Sequence, residues 1–220
     1  MKVYVGLVSK GSAKAKEIRR EGWGVVLVPE LRRKFCPHTF PLYFIDNGAF
    51  TCWRRGEEFN SSLFLRTLEE SLKYPTLPQF VVVPDLVAKG LKSLEFSLNW
   101  LDRLKREFPQ FNYALAVQDG MSLEDVEPYL KEFAYLFVGG TLQWKTKTGR
   151  KWVKLAHKHR KRCHIGRVGT ARRVRWARRI GADSIDSALP LFSLAKWERF
   201  RRALRETLQP ELPFRGITWH

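Results

Sequence analysis

The sequence has few residues of the kinds that build disulfide frameworks, zinc modules or membrane spans. Its 220 residues include only three cysteines, Cys36, Cys52 and Cys163, and no Cys-x-x-Cys pair. This odd, scattered set offers no disulfide framework and lacks the usual spacing of a structural zinc site. No apolar run approaches the ~20 residues that cross a bilayer, and the first apolar stretch is too short for a signal peptide. We therefore expect a cytoplasmic protein with no metal, no cofactor and no membrane partner.

Acidic residues are also scarce, and the excess of basic residues lies in one segment. The chain has 22 Asp and Glu against 40 Lys and Arg, a formal net charge of +18. Residues 145–179 hold 15 of these cations and no acid, so +18 less these 15 leaves +3 elsewhere. Such a block indicates a surface for a polyanion, most simply nucleic acid, although a basic protein tuned for solubility or high temperature is the alternative. The predicted nucleic-acid contacts are Lys145, Lys147, Arg150, Lys151, Lys154, Lys158, Arg167, Arg172 and Arg173.

Short apolar, β-branched runs alternate with helical patterns along the chain. Continuous apolar runs are typical of strands buried on both faces of a parallel sheet. Eight strands alternating with helices predict an α/β protein, a compact (β/α)8 TIM barrel that forms a single domain over residues 1–220, with an open doubly wound sheet as the alternative. The predicted strands are 3–8, 24–28, 42–46, 80–85, 113–118, 136–139, 162–166 and 183–186. The predicted helices are 13–21, 61–73, 91–107, 123–133, 151–161, 171–180 and 194–208, with 29–41 mainly loop.

Polar residues end several of these strands, where the apolar pattern does not predict them. Asp46, Asp85, Gln118 and Asp186 each close a predicted strand. The carboxyl ends of barrel strands share one face, where active sites lie, so these side chains should meet at one mouth. A single Asp there is usually a turn residue, but two carboxylates can divide the work of nucleophile and acid. Gln and Asp side chains can also bind the edge of a planar base.

These motifs, in their order and spacing, resemble the catalytic barrel of the tRNA-guanine transglycosylase superfamily. Members of that superfamily replace a guanine base in a polynucleotide with a 7-deazaguanine without breaking the strand. The resemblance covers roughly residues 42–190, and its last segment is the most specific. The matching segments are D-N-G-A-F at 46–50, V-Q-D-G at 117–120, G-G-T-L at 139–142, I-G-R-V-G-T at 165–170 and G-A-D-S-I-D-S-A-L-P at 181–190.

The resemblance implies a role for each matched residue. Asp186 would be the nucleophile that attacks C1′ of the sugar, and Asp46 would be the general acid and base. Phe50 would stack on the base. Without the resemblance, an ordinary buried aromatic residue is an equally good interpretation of Phe50. The other base contacts that the resemblance implies are Asp85, Gln118, Gly139, Gly140, Thr141 and Ile165, the last as the opposite wall of the pocket.

Departures from the family pattern favour DNA over tRNA as the substrate. The chain lacks the clustered cysteines of the zinc module that the tRNA enzymes carry, and Asn47, Ala49, Asp119 and Thr141 differ from the usual residues. The segment V-V-P-D-L-V at 82–87 is closer to the DNA-guanine transglycosylases of the DpdA type, which fits a phage-encoded protein. Three alternatives stay open: the same exchange on tRNA, a non-catalytic nucleic-acid-binding subunit, and an N-glycosidase. A partner protein that supplies specificity is compatible with each.

Overall fold

The computed structural model describes residues 1–207, in which eight parallel strands close into a barrel. Each strand is hydrogen-bonded to the next along the chain, and the last pairs with the first. The prediction of a (β/α)8 barrel is therefore confirmed. The strands are β1 (Lys2–Gly6), β2 (Gly24–Leu27), β3 (Tyr43–Ile45), β4 (Val81–Val82), β5 (Tyr113–Val117), β6 (Tyr135–Val138), β7 (Arg162–Ile165) and β8 (Ser184–Ser187).

Helices surround the barrel and occupy most of the predicted segments. Three short 3-10 helices lie at Pro29–Lys34, Glu127–Glu132 and Leu189–Phe192 of the described residues. The predicted end of the last helix, at residue 208, lies outside the described residues. The α-helices are α1 (Ala13–Arg20), α2 (Ala49–Arg55), α3 (Ser61–Ser71), α4 (Leu91–Glu107), α5 (Leu123–Val126), α6 (Leu142–Lys158), α7 (Ala171–Arg179) and α8 (Leu194–Arg205).

Helix α6 begins nine residues before its predicted start, and helix α2 was not predicted at all. The Thr141 hydroxyl caps α6 by accepting a hydrogen bond from the Trp144 N–H, at 3.3 Å. Gly149, which weakens the helical pattern, lies where a side chain would collide with the Trp176 ring, because a Cβ at this position would be 2.8 Å from it. Packing thus requires a glycine inside the helix at a cost of about 1 kcal/mol in helix propensity.

Side chains of the strands alternate between the barrel interior and the layer under the helices. Four aromatic rings fill the interior, from Tyr4, Phe44, Phe80 and Tyr135, and the Phe44 and Phe80 rings stack with centroids 4.5 Å apart. The opposite positions, such as Val5 next to Tyr4, pack under the helices. These rings close the interior below the carboxyl ends of the strands.

The helices show no membrane-spanning segment. Within residues 1–207, none of them combines the length and the apolar character needed to cross a bilayer.

Candidate active site

A pocket of about 610 Å³ opens at the carboxyl ends of the strands. Inward-facing residues of the strands form its floor, among them Val26, Val82, Ala116 and Phe137. The structure brings together nine residues that the sequence predicted for base chemistry or nucleic-acid contact. They are Asp46, Phe50, Asp85, Gln118, Gly139, Gly140, Thr141, Arg167 and Asp186.

The prediction that Ile165 forms a wall of this pocket is wrong. Ile165 is completely buried and belongs to the apolar layer between barrel and helices. Strand alternation is the reason, because His164 and Gly166 on either side of it face the interior. A Cβ at Gly166 would lie 2.9 Å from the Phe137 ring and 3.4 Å from Asp186 Oδ1, so the absent side chain leaves room beside the carboxylate.

Two donors hold one oxygen of the Asp186 carboxylate. His164 Nε2 lies 2.9 Å from Asp186 Oδ1, and the Arg167 N–H donates to the same oxygen at 3.1 Å. The Asp186 side chain is 15% exposed and lines the pocket, so it is accessible from there. The carboxylate is thus fixed through Oδ1, and neither of these two donors uses the second oxygen.

His164 is a functional candidate that the sequence analysis did not single out. Its ring is fully buried and stacks on Phe137, with centroids 4.7 Å apart, and its Nδ1 lies 2.8 Å from Ser184 Oγ. Burial lowers the pKa of His164, against the opposing effect of Asp186. The imidazole is therefore neutral near pH 7. An ionised Asp186 can only accept a hydrogen bond, so the proton of the neutral His164 ring lies on Nε2. The Ser184 hydroxyl then donates to the unprotonated Nδ1.

Asp46 is the second carboxyl group of the pocket and has a different environment. Burial, with a smaller contribution from the negative charges of Asp186, Asp85 and Glu30, raises its pKa to about 7. The Gly48 N–H donates to Asp46 Oδ1 at 2.8 Å and acts in the opposite direction. A carboxyl group with this pKa exchanges a proton near neutrality, as a general acid and base must.

Asp85 and Gln118 belong to a polar network at one side of the pocket. Asn47 Nδ2 donates to Asp85 Oδ1 at 2.8 Å, and Gln118 Nε2 lies 3.3 Å from Asp85 Oδ2. Burial raises the pKa of Asp85, and these two donors oppose it. A carboxylate offers about four acceptor positions, so Asp85 keeps capacity for a ligand.

The Gln118 amide is already engaged by the loop between β4 and α4. Its Oε1 accepts from the Ala88 N–H at 2.6 Å, and its Nε2 donates to Leu86 O at 3.0 Å and Ser93 Oγ at 2.7 Å. Ala88 has a left-handed backbone, with φ of 59°, which is strained for a non-glycine residue. Gln118 therefore holds the loop that carries Asp85, and its amide has little left for a base.

Asp119 ties the loops after β5 and β6 together. Its carboxylate accepts from the Thr141 N–H at 2.6 Å and from the Thr141 hydroxyl at 2.7 Å. The Thr141 carbonyl accepts the Lys145 N–H within helix α6, so it is not free for the base contact that the resemblance implied. Gly140 has φ of 68°, and a Cβ there would lie 2.5 Å from Asp119 Oδ2, which accounts for glycine at this position.

Arg167 reaches across the mouth of the pocket. Its Nη2 donates to Gly140 O at 2.6 Å, and its guanidinium carbon lies 4.4 Å from the centroid of the Phe50 ring. The backbone is left-handed, with φ of 59°, so both Arg167 and Ala88 are strained pocket residues. A base that stacks on this face of Phe50 has to displace the guanidinium.

Comparisons with known proteins give no assignment. Neither the models of known protein families nor the curated protein sequences match this chain. Within residues 1–207, no three His, Cys, Asp or Glu side chains group as metal ligands. The functional conclusion therefore depends on the pocket and its rim.

Eight of the nine predicted nucleic-acid contacts occupy three different environments. Arg167 lies at the pocket mouth, and Arg172 and Arg173 lie in the first turn of helix α7, close to the same end of the barrel. Lys147 and Arg150 are exposed in the first half of α6. Lys151, Lys154 and Lys158 follow α6 away from the mouth, and at ~1.5 Å per residue Lys158 lies roughly 24 Å from the first residue of the helix.

The prediction that Lys145 contacts nucleic acid is wrong, because this residue is not on the surface. Its side chain is 3% exposed, and its Nζ donates to Gly166 O at 2.6 Å. Burial, together with the positive charge of Arg167, lowers the pKa of Lys145 to about 7. Lys145 thus supports the Gly166 loop beside Asp186 from below, and a phosphate cannot reach it.

We expect Lys145 to make the free energy of unfolding depend on pH. Its folded pKa of about 7 lies below the unfolded value of 10.5, so between these values the unfolded state binds more protons. Stability therefore rises with pH across this window, by up to about 1.4 kcal/mol per pH unit. Urea unfolding at pH 7.5 and 9 should show this rise in the wild type and a smaller one in Lys145→Met. The exposed neighbour provides the control, and an equal loss of slope in Lys147→Met would contradict the assignment.

Proposed function

We propose that this protein is a base-exchange transglycosylase that replaces guanine in DNA with a 7-deazaguanine through a covalent link between Asp186 and the sugar. One observation carries the proposal: two carboxyl groups share a pocket mouth in different environments. Asp186 is held by His164 and the Arg167 N–H, whereas burial raises the pKa of Asp46 to about 7. Such a pair suits a nucleophile and a proton donor.

The first half-reaction breaks the bond between the sugar and guanine. An oxygen of ionised Asp186 attacks C1′ as the bond from C1′ to N9 breaks, which forms a glycosyl ester. Protonated Asp46 supplies the proton that the departing guanine needs and is left as a carboxylate. Splitting one difficult displacement into two easier ones lowers the barrier, and the ester holds the strand in place of an abasic site.

The second half-reaction reverses these roles. The carboxylate of Asp46 removes a proton from the incoming 7-deazaguanine, whose N9 attacks C1′. The ester bond breaks, Asp186 regains its charge, and Asp46 is protonated again. The proton count balances over the cycle, and the exchange involves no net oxidation or reduction.

The pocket offers complementary contacts for a flat purine. Phe137 on the floor and Phe50 at the mouth present aromatic surface. Gly139 and Gly140 also line the pocket, and without side chains they let a flat ligand approach the backbone closely. The Asp85 carboxylate can accept from the N1–H and the exocyclic amine of guanine, using positions that Asn47 and Gln118 leave open. This edge distinguishes guanine from adenine, which lacks an N1–H.

The rim of the pocket suits a strand with an unstacked base. Trp53 is 54% exposed and lines the pocket, and Phe192 and Leu194 are exposed in the segment after β8. Exposed aromatic side chains beside cations bind unpaired bases by stacking. The choice of DNA over RNA depends on the resemblance of 82–87 to the DNA-guanine transglycosylases and on the lack of the clustered cysteines that the tRNA enzymes carry.

A covalent adduct tests this chemistry. We expect incubation with guanine-containing single-stranded DNA to give a band that survives denaturing electrophoresis and a protein mass increased by that of the strand less the released guanine. Parallel reactions with duplex DNA, tRNA and DNA without guanine identify the substrate. An adduct on tRNA alone would move the substrate to RNA, and binding without any adduct would favour a non-catalytic subunit.

His164 should act as a positioning residue for Asp186. His164→Phe keeps a buried ring but loses both hydrogen bonds, so we expect kcat to fall about 100-fold while KM for DNA changes little. His164→Gln should recover part of the activity because its amide can donate to Asp186.

Phe44→Leu is the packing control, since the Phe44 ring lies 5.1 Å from that of His164 and is not among the residues that line the pocket. It should lower the melting temperature with kcat nearly unchanged. Equal effects of Phe44→Leu and His164→Phe on kcat would reduce His164 to a packing role.

A further inference from the structure

A second cavity lies next to the active-site pocket. Its volume is about 750 Å³, and it is formed by residues 7–14 after β1 and 31–37 after β2. Leu7 and Leu31 line both cavities, so the two share a wall. Because β1 pairs with β8 and β2 pairs with β3, this cavity lies between the strands that lead to Asp186 and Asp46.

The lining of the second cavity carries uncompensated positive charge. Lys10, Lys14, Arg33 and Lys34 line it, and no Asp or Glu occurs among its described lining residues. Lys14 is paired with Glu17 at 2.8 Å. The other three are exposed, and none of them forms an ion pair with a carboxylate of residues 1–207.

Several cations of the basic segment 145–179 are engaged in contacts within the protein and are not available to bind phosphates at the pocket mouth. Lys158 pairs with Glu127 at 2.7 Å, far along α6. Arg175 forms two hydrogen bonds with Glu206, at 2.6 and 2.8 Å, and Arg178 donates to backbone carbonyls near the end of α8. These cations stabilise the contacts between helices, so Arg167, Arg172 and Arg173 are the cations of the segment that lie near the mouth. A strand that leaves across the loops after β1 and β2 needs other partners.

We propose that the second cavity binds the phosphates of the DNA strand on one side of the nucleotide whose base enters the active-site pocket. This inference rests on the proposed function. A flipped nucleotide stays joined to its neighbours, so its backbone must leave the mouth across an adjacent wall. The wall formed by Leu7 and Leu31 leads directly to Lys10, Arg33 and Lys34, and the apolar lining around them can contact sugars.

Two triple variants that remove equal charge test this path. The first is Lys10→Gln, Arg33→Gln and Lys34→Gln, and the matched control is Lys151→Gln, Lys154→Gln and Lys158→Gln. Binding of fluorescein-labelled single-stranded DNA is measured by anisotropy over a series of KCl concentrations. We expect the first triple to weaken binding about tenfold or more and to reduce the slope of log K against log salt by about 2, at ~0.7 per phosphate contact. The control should change both quantities much less.

Several outcomes would overturn the proposal. Equal losses in the two triples would indicate a nonspecific charge effect, and a larger loss in the control would place the strand along α6. Loss of tRNA binding without loss of DNA binding would assign the cavity to RNA.

Guanine exchange by the same proteins separates this inference from the proposed function. An active wild type together with an unaffected first triple contradicts only the phosphate path. An inactive wild type whose DNA binding depends on Lys10, Arg33 and Lys34 contradicts the base-exchange chemistry and leaves the strand path supported.

Discussion

Replacing Asp186 with Asn is expected to lower guanine exchange by at least about 10⁴-fold and to abolish the covalent adduct. The amide keeps the shape of the side chain and an oxygen that can accept from His164 and the Arg167 N–H. What it loses is the negative charge that attacks C1′. The measurement is initial exchange rate with radiolabelled guanine, together with adduct formation on a denaturing gel.

The affinity for DNA should persist in Asp186→Asn, because no phosphate contact is removed. Asp102→Asn is the matched control, since this residue is exposed on helix α4 away from the pocket. It should retain wild-type exchange. An adduct that survives in Asp186→Asn would refute the nucleophile assignment, whichever residue carried it.

Replacing Asp46 with Asn is expected to have two opposite effects, on activity and on stability. Exchange should fall about 10²- to 10⁴-fold, because the amide cannot donate or accept the proton that moves with the base. In the wild type, adduct formation should be nearly constant below pH 7 and fall about tenfold per pH unit above it, since the protonated form is required.

The stability effect follows from the raised pKa of Asp46. The folded state keeps its proton up to about pH 7, whereas the unfolded state loses it near 3.8. Between these values the folded state binds more protons, so the free energy of unfolding decreases as pH rises. Asp46→Asn avoids this decrease and should be more stable than the wild type at pH 8, by on the order of 4 kcal/mol.

Urea unfolding at pH 5 and pH 8 measures this difference, with Asp102→Asn as the control. The gain in Asp46→Asn should be larger at pH 8 than at pH 5. A loss of stability that is equal at both values would show that Asp46 is an ordinary ionised carboxylate stabilised by the Gly48 N–H.

The barrel could be predicted from the sequence because eight apolar, strand-like segments alternate with helical patterns along most of the chain. All eight strands lie within or next to their predicted segments. Helix α2 was not predicted because it has only seven residues and follows Gly48, whose backbone is left-handed with φ of 81°. The early start of α6 depends on the bond between Asp119 and Thr141, which are far apart in sequence.

Pocket residues could be predicted where a polar side chain follows the end of a strand. Prediction was less successful within a strand, where the inward or outward orientation of each side chain decides whether it lines the pocket. His164 and Ile165 are neighbours in β7, and strand alternation sends one side chain inward and the other outward once the register is known. The burial of Lys145 could not be predicted from its neighbours, because the chain folds back to bring Gly166 O within 2.6 Å of its Nζ. The second cavity likewise joins cations from two loops whose separation in the sequence hides their proximity.

Exchange of radiolabelled guanine into nucleic acid tests the central claim most directly, in parallel reactions with single-stranded DNA, duplex DNA and bulk tRNA. Guanine serves as the incoming base because the first half-reaction can run in reverse with it, whichever 7-deazaguanine is natural. We expect label in DNA with the wild type and none with Asp186→Asn. Label in no polymer, with salt-sensitive DNA binding intact, would contradict base exchange as the function of this pocket.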